Sequence, residues 1–294
     1  MFDLTRKTLA LGVSATCLLL QISEVRAETI SIGVAANFAA TIQDIADAYF
    51  WYHGGGVSFS ISSDSTGNLK SAILAGGTTS GPYDLFLSAD TAAPAAVSTL
   101  GMVYSGVTQA PFFYANGSVV FGSATTSVSG GVPNPISPAL VIADPSKAPY
   151  GLAAMTVLNQ APWSLGLSTT SSYPVSNVYI SSNIGTTYAA VSATTYAYGF
   201  LAKSSVCRNT GSGDAVAGYP NNVTNVYEYK YDGSAGLGHA GTTSQTYPQI
   251  VQNGIAIQRS AQTPTTQALV IDFINYLLTN SDGIYYRTLY CYGT

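Results

Sequence analysis

The chain has 294 residues, and 47% of them are hydrophobic, enough to close a sizeable core. Only 8% are Asp, Glu, Lys or Arg, ten basic against fourteen acidic, for a net charge of −4. That balance excludes a disordered charged tail, and it excludes nucleic acid as a partner, because no basic stripe can be assembled against phosphates.

Residues 1–27 read as a signal peptide. Arg6 and Lys7 form a basic start, residues 8–22 are largely apolar, and Val25-Arg26-Ala27 fits a cleavage site before Glu28. The apolar stretch is shorter than the ~20 residues that a membrane span needs. Cys17 lies inside it rather than after it, so no lipid anchor is expected. The expected location is therefore periplasmic or extracellular. Removing this segment leaves two cysteines, Cys207 and Cys291. An even pair in an oxidising compartment is a disulfide candidate, here between the middle of the chain and its end; two separate buried thiols are the alternative.

From residue 29 to 34 apolar side chains alternate, as in a strand. Ile42, Ile45, Ala46 and Tyr49 then recur at helical spacing, until His53-Gly54-Gly55-Gly56 stops the helix. Residues 57–61 alternate again, 62–67 form a Ser/Thr/Gly loop, and Leu69, Ala72, Ile73 and Ala75 predict a second helix ended by Gly76-Gly77. Residues 84–87 are a short apolar strand. This βαβαβ order predicts a parallel sheet with helices on its faces. Further strands are predicted at 118–121, 139–142, 199–202 and 250–257, and helices at 152–158 and 188–196. Leu269, Phe273, Tyr276 and Leu277 mark a last helix. Residues 208–246, rich in Gly, Asn, Ser and Tyr, read as a loop-rich insertion.

Catalytic chemistry finds few residues to use. His53 and His239 are the only histidines, and neither has a partner at metal-ligand spacing, so no catalytic residue, metal site or cofactor is expected. Three polar turns are more informative: residues 35–38, 62–67 and 149–151 each follow a strand or precede a helix. Helix starts present unpaired N–H groups and the positive end of the helix dipole. Several converging on one point can hold an oxyanion without any full positive charge. Ordinary helix capping uses the same residue types and is the alternative for each turn taken alone.

Longer stretches carry a resemblance. They are residues 32–38 running into 42–45, Ser65-Thr66-Gly67-Asn68-Leu69, residues 83–90, Ala143-Asp144-Pro145 with Ala148-Pro149-Tyr150-Gly151, residues 199–202, and Tyr247-Pro248. In that order and spacing the chain resembles the periplasmic molybdate-binding protein family, the solute receptors of molybdate ABC importers. The resemblance implies an α/β periplasmic-binding-protein fold with two lobes and a ligand cleft between them. It implies residues 28–112 as the first part of lobe one, 113–246 as lobe two with the insertion at 208–246, and 247–294 as the return to lobe one. It further implies a small oxyanion ligand, molybdate or tungstate, held by Asn37, Ser65, Thr66, Tyr150, Ile184 and the position of Ala202, which some relatives fill with Tyr. The partner implied is an ABC transporter permease. Charge this scarce outside the cleft is not what such a receptor leads one to expect, and it leaves self-association open. Two other readings therefore stand beside the first: a receptor-derived surface or self-assembling structural protein with the same fold, and a receptor for another small solute.

Overall fold

The computed structural model describes residues 27–102, 111–209, 214–216, 223–231 and 245–293. Residues 1–26 of the expected signal peptide and much of the insertion at 208–246 lie outside them.

The first lobe opens with β1 (Glu28–Ala35), a 3₁₀ turn at Ala36–Phe38 and α1 (Ala39–Tyr52), then β2 (Val57–Asp64), α2 (Thr66–Ser80), β3 (Leu85–Leu87), α3 (Ala92–Ala96) and β4 (Phe112–Gly117). β1 pairs parallel with both β2 and β3, as the βαβαβ order predicts. Ile42, Ile45, Ala46 and Tyr49 of α1 are all buried, so the helical spacing in the sequence is the face that packs on the sheet.

The second lobe holds β5 (Val119–Ser123), β6 (Leu140–Ala143), α4 (Pro149–Leu158), β7 (Val178–Ser181), α5 (Ile184–Ser192), β8 (Tyr198–Ala202), β9 (Cys207–Asn209), β10 (Asp214–Val216), β11 (Asn225–Glu228), β12 (Lys230–Tyr231) and β13 (Thr246–Tyr247). The chain then returns to the first lobe as β14 (Ile250–Ala256), α6 (Pro264–Thr279) and α7 (Ser281–Leu289). The first sheet has the order β2-β1-β3-β14-β4 and the second β11-β5-β8-β6-β7. β14 is antiparallel to both of its neighbours, which is how a returning chain closes the sheet it left.

Each sheet organises its own core. Ile30, Ile32 and Val34 of β1 lie with Phe273 and Leu277 of α6 in one cluster; Phe121, Phe200, Leu140 and Ile142 lie with Leu158 in the other. Burying a side chain of this size contributes ~1.5–3 kcal/mol, and every side chain just named is fully buried. Asp84, 2% exposed, ties the returning segment down: its carboxylate accepts from the Ser31 amide at 2.7 Å, from Arg259 Nη1 at 2.9 Å and from Gln262 Nε2 at 2.8 Å.

Several boundaries differ from expectation. β2 runs on to Asp64 and α2 begins at Thr66, so the polar loop expected at 62–67 shrinks to Ser65. Strand β4 pairs with β14 in the first sheet, so the chain crosses between sheets at Ser118 rather than at 113. α5 starts at Ile184, not 188. Asn183 accepts from the Thr186 amide at 2.9 Å while Thr186 Oγ1 accepts from the Asn183 amide at 3.1 Å, a reciprocal cap that starts the helix early.

Cys207 and Cys291 form a disulfide. Among the described residues, no helix is long and apolar enough to cross a membrane.

Candidate functional site

Four segments meet at one small pocket. Ala35–Asn37 and Asp64–Thr66 come from the first lobe, and residues 148–150 and Asn183-Ile184 from the second; Ala89 completes the wall. Each segment is the point where a strand or loop gives way to a helix or a 3₁₀ turn. The first N–H groups of a helix have no intrahelical acceptor, so the amides of Asn37, Thr66, Tyr150 and Ile184 are donors at these starts. Dipoles of α2, α4 and α5 add their positive ends to the same place.

Hydroxyls reinforce the amides. Ser65 caps α2, its Oγ accepting from the Asn68 amide at 3.2 Å. Thr66 Oγ1 accepts from the Ala89 amide at 3.1 Å. Both therefore keep their own hydrogen to donate. Among the described residues, no Lys, Arg or His side chain lines the pocket.

Contacts between the lobes flank it. The Gly67 amide donates to the Lys147 carbonyl at 2.9 Å, and a Cβ on Gly67 would stand 3.0 Å from Lys147 Cα, close enough that a larger residue would push the two backbones slightly apart. Asn183 Nδ2 donates to Asp64 Oδ1 at 3.3 Å. On the other side, Ser204 Oγ donates to the Asn37 carbonyl at 2.9 Å, and Tyr292 OH reaches the same carbonyl at 2.6 Å.

Behind the pocket lies a buried polar network at the crossing strands. Gln252, fully buried on β14, donates through Nε2 to Tyr150 OH at 3.1 Å, and its Oε1 accepts from Asn37 Nδ2 at 2.9 Å and faces Tyr114 OH at 2.9 Å. Burial pushes the phenols of Tyr114, Tyr150 and Tyr292 well above the usual tyrosine range, so all three stay neutral donors.

Of the residues named from sequence, Asn37, Ser65, Thr66, Tyr150 and Ile184 line the pocket. Tyr150 does so without its hydroxyl. The phenol points to Gln252 and Gly117 in the hinge, leaving the backbone N–H after Pro149 as its donor. Ala202 is not brought to the pocket. It ends β8 opposite Val119 and packs into the second lobe's core; the chain then turns, and Ser204 is the residue that reaches the first lobe. Sequence reasoning assigned no role to Asp64, Gln252 or Tyr292. Asp64 was legible as the carboxylate beside Ser65, but Gln252 and Tyr292 arrive from more than 200 residues away and carry no local signal.

A family model for bacterial extracellular solute-binding proteins matches residues 30–281. The chain belongs to this family. It is thus a solute-binding protein and not an enzyme. Over 161 residues it is 34% identical to the molybdate-binding protein ModA of Azotobacter vinelandii, a match covering 53% of this chain and 58% of that one. The chain thus aligns with little more than half the length of that relative. Among solved structures, the periplasmic molybdate-binding protein of Azotobacter vinelandii superposes with a TM-score of 0.65 at 20% identity, over 90% of this chain and 99% of the other. The sulfate-binding protein SubI of Mycobacterium tuberculosis gives 0.57 at 11%, over 90% and 86%. At such identities these structures share the two-lobed fold with this solute-binding protein.

Proposed function

We propose that the chain is exported by way of residues 1–27 and captures a tetrahedral oxyanion, molybdate or tungstate, between its lobes for delivery to an ABC transporter permease. The observation that carries this reading is the convergence of helix-start amides from both lobes on one pocket that, among the described residues, no cationic side chain lines. A hydrogen bond to a charged group contributes ~1.5–3 kcal/mol, so a ring of such donors together with Ser65 and Thr66 can offset the loss of water around the anion. Because both lobes supply donors, the full set exists only when the cleft is closed, which couples binding to hinge closure. The names of the molybdate-binding relatives point to the same class of ligand.

Titration calorimetry of residues 28–294 with molybdate, tungstate and sulfate tests the proposal. Heat of binding and a raised melting temperature are expected, since a ligand that binds only the folded state stabilises it. Neither effect with any oxyanion would remove the receptor reading.

A further inference from the structure

Cations are scarce in residues 28–294, and the fold distributes them unevenly. Lys203, Arg208 and Arg287 are buried, at 2%, 8% and 4% exposure, and Arg259 Nη1 is held by Asp84 at 2.9 Å. Among the described side chains, the cations that are neither buried nor held in a tight ion pair are Lys70, half-buried, and Lys147, 49% exposed.

Both stand beside the pocket, one from each lobe. Lys147 precedes Ala148 and Gly67 follows Thr66; Ala148 and Thr66 line the pocket, and the Gly67 amide donates to the Lys147 carbonyl at 2.9 Å. A Cβ on Gly67 would lie 3.2 Å from Lys147 Cβ, so the lysine stem starts against α2. Lys70 lies three residues beyond Gly67 on α2, and residues three apart share a helix face. The two lysines therefore flank the edge of the cleft away from the hinge contacts of Asn37 with Ser204 and Tyr292.

The same edge carries two carboxylates. Asp64 accepts from the Ser65 amide at 2.6 Å and from the Asn68 and Asn183 side chains at 3.1 and 3.3 Å. Asp144 Oδ1 accepts from the Ser146 amide and hydroxyl at 2.9 and 2.6 Å, and its Oδ2 stands 3.8 Å from Lys147 Nζ. Residues 28–294 hold twelve acidic and seven basic side chains, so the chain as a whole is negative too. A dianion nearing this edge is repelled, and the helix-start amides act only within about a turn of the helix end. We infer that Lys70 and Lys147 offset that repulsion and draw a doubly charged oxyanion into the cleft without touching it once bound, which rests on the pocket being the ligand site proposed above. Neutral donors hold the ion; the two lysines act on it from a distance through water, so their attraction is the part that salt screens.

Titration calorimetry of residues 28–294 with molybdate, at ~10 mM and ~500 mM ionic strength set with sodium chloride, reads this directly. With ~8–10 Å of water between dianion and ammonium, screened Coulomb attraction amounts to about three- to fourfold in affinity per lysine at the lower ionic strength and less than about 1.5-fold at the higher. Lys70→Gln and Lys147→Gln should each lose that factor in dilute salt, and the double variant about tenfold, while all three nearly match the unaltered chain in concentrated salt. Asp144→Asn can still accept from Ser146 and should move the other way, tightening molybdate about threefold in dilute salt alone. Melting curves report whether each variant is folded. Losses equal at both ionic strengths, lysine variants unmoved at the lower one, or an Asp144→Asn variant that weakens with them would overturn the inference and leave the receptor reading in place. No binding of any oxyanion by the unaltered chain would overturn both.

Discussion

Cys207 and Cys291 are bonded across the hinge, 84 residues apart in the chain and 6.0 Å apart between Cα atoms. Cys207 starts β9 of the second lobe, and Cys291 follows α7 of the first. Neighbouring residues strengthen the same crossing: the Arg208 guanidinium lies 3.8 Å from the centre of the Tyr290 ring, and Tyr292 OH lies 3.0 Å from Ser204 Oγ. The lobes are therefore joined by two peptide crossings and one covalent staple. Cleft opening has to pivot about the side of Asn37 that the staple closes.

Replacing both cysteines by serine is expected to lower stability by ~2–4 kcal/mol, the usual contribution of a disulfide closing a long loop. It should also widen the ligand-free cleft. Denaturant melts measure the first effect and small-angle scattering the second, as a larger radius of gyration for the variant. Thiol titration of the unaltered residues 28–294 in denaturant should find none.

Thr66→Ala removes a hydroxyl from the pocket and leaves the Ala89 amide, which it serves at 3.1 Å, without its acceptor. Oxyanion affinity should fall by ~1–3 kcal/mol, the range for a hydrogen bond to a charged group. Calorimetry at constant buffer checks it, and unchanged affinity would displace Thr66 from the donor set.

The two roles of Tyr150 can be separated. Tyr150→Phe keeps the backbone donor and loses only the bond from Gln252 Nε2. It should cost ~1–3 kcal/mol of stability, the penalty for a buried donor left unpaired, and change affinity little. Gly117→Ala acts on the same point from the other side. A Cβ there would overlap both the Tyr150 hydroxyl and Gln252 Nε2, so this variant should weaken binding and folding together. Parallel melts and titrations distinguish the two.

Alkaline pH should unfold the protein through its buried phenols. Burial raises Tyr229 from 10.0 to about 12, with the Val132 amide that donates to it pulling the other way. Tyr114 and Tyr150 are also raised well above 10.0, chiefly by burial. In the unfolded chain these phenols lose their protons near pH 10, while in the native state they keep them. The native state thus binds more protons above pH ~10, and stability falls as pH rises from there, with this contribution intact at lower pH. Tyrosinate absorbance followed alongside circular dichroism should show the buried group ionising only as helical signal is lost. A full tyrosinate signal from a folded protein would contradict this.

The βαβαβ opening, the helical face of α1 and the turns that became helix starts were legible in the sequence, because each is set by neighbours a few residues apart. The binding turns at Ser65-Thr66 and Pro149-Tyr150 belong to this class: their chemistry is local backbone at a helix start. The membership of β4 in the first sheet was not legible, since it depends on a partner strand, β14, that lies more than 130 residues later. The direction of the Tyr150 phenol, the turning inward of Ala202 and the reach of Tyr292 to Asn37 were hidden for the same reason.

Composition by itself determined that any anion must be held by neutral donors, because a chain that is 8% charged has few cations to spend on a cleft. Tertiary structure decided what that cleft contains besides donors. It brought Asp64 within reach of Asn183, and it joined Asn37 to Gln252 and Tyr292 behind the pocket. A hydrogen bond is directional, and its direction is fixed by partners brought together only when the chain has folded; residue types alone carry no sign for it.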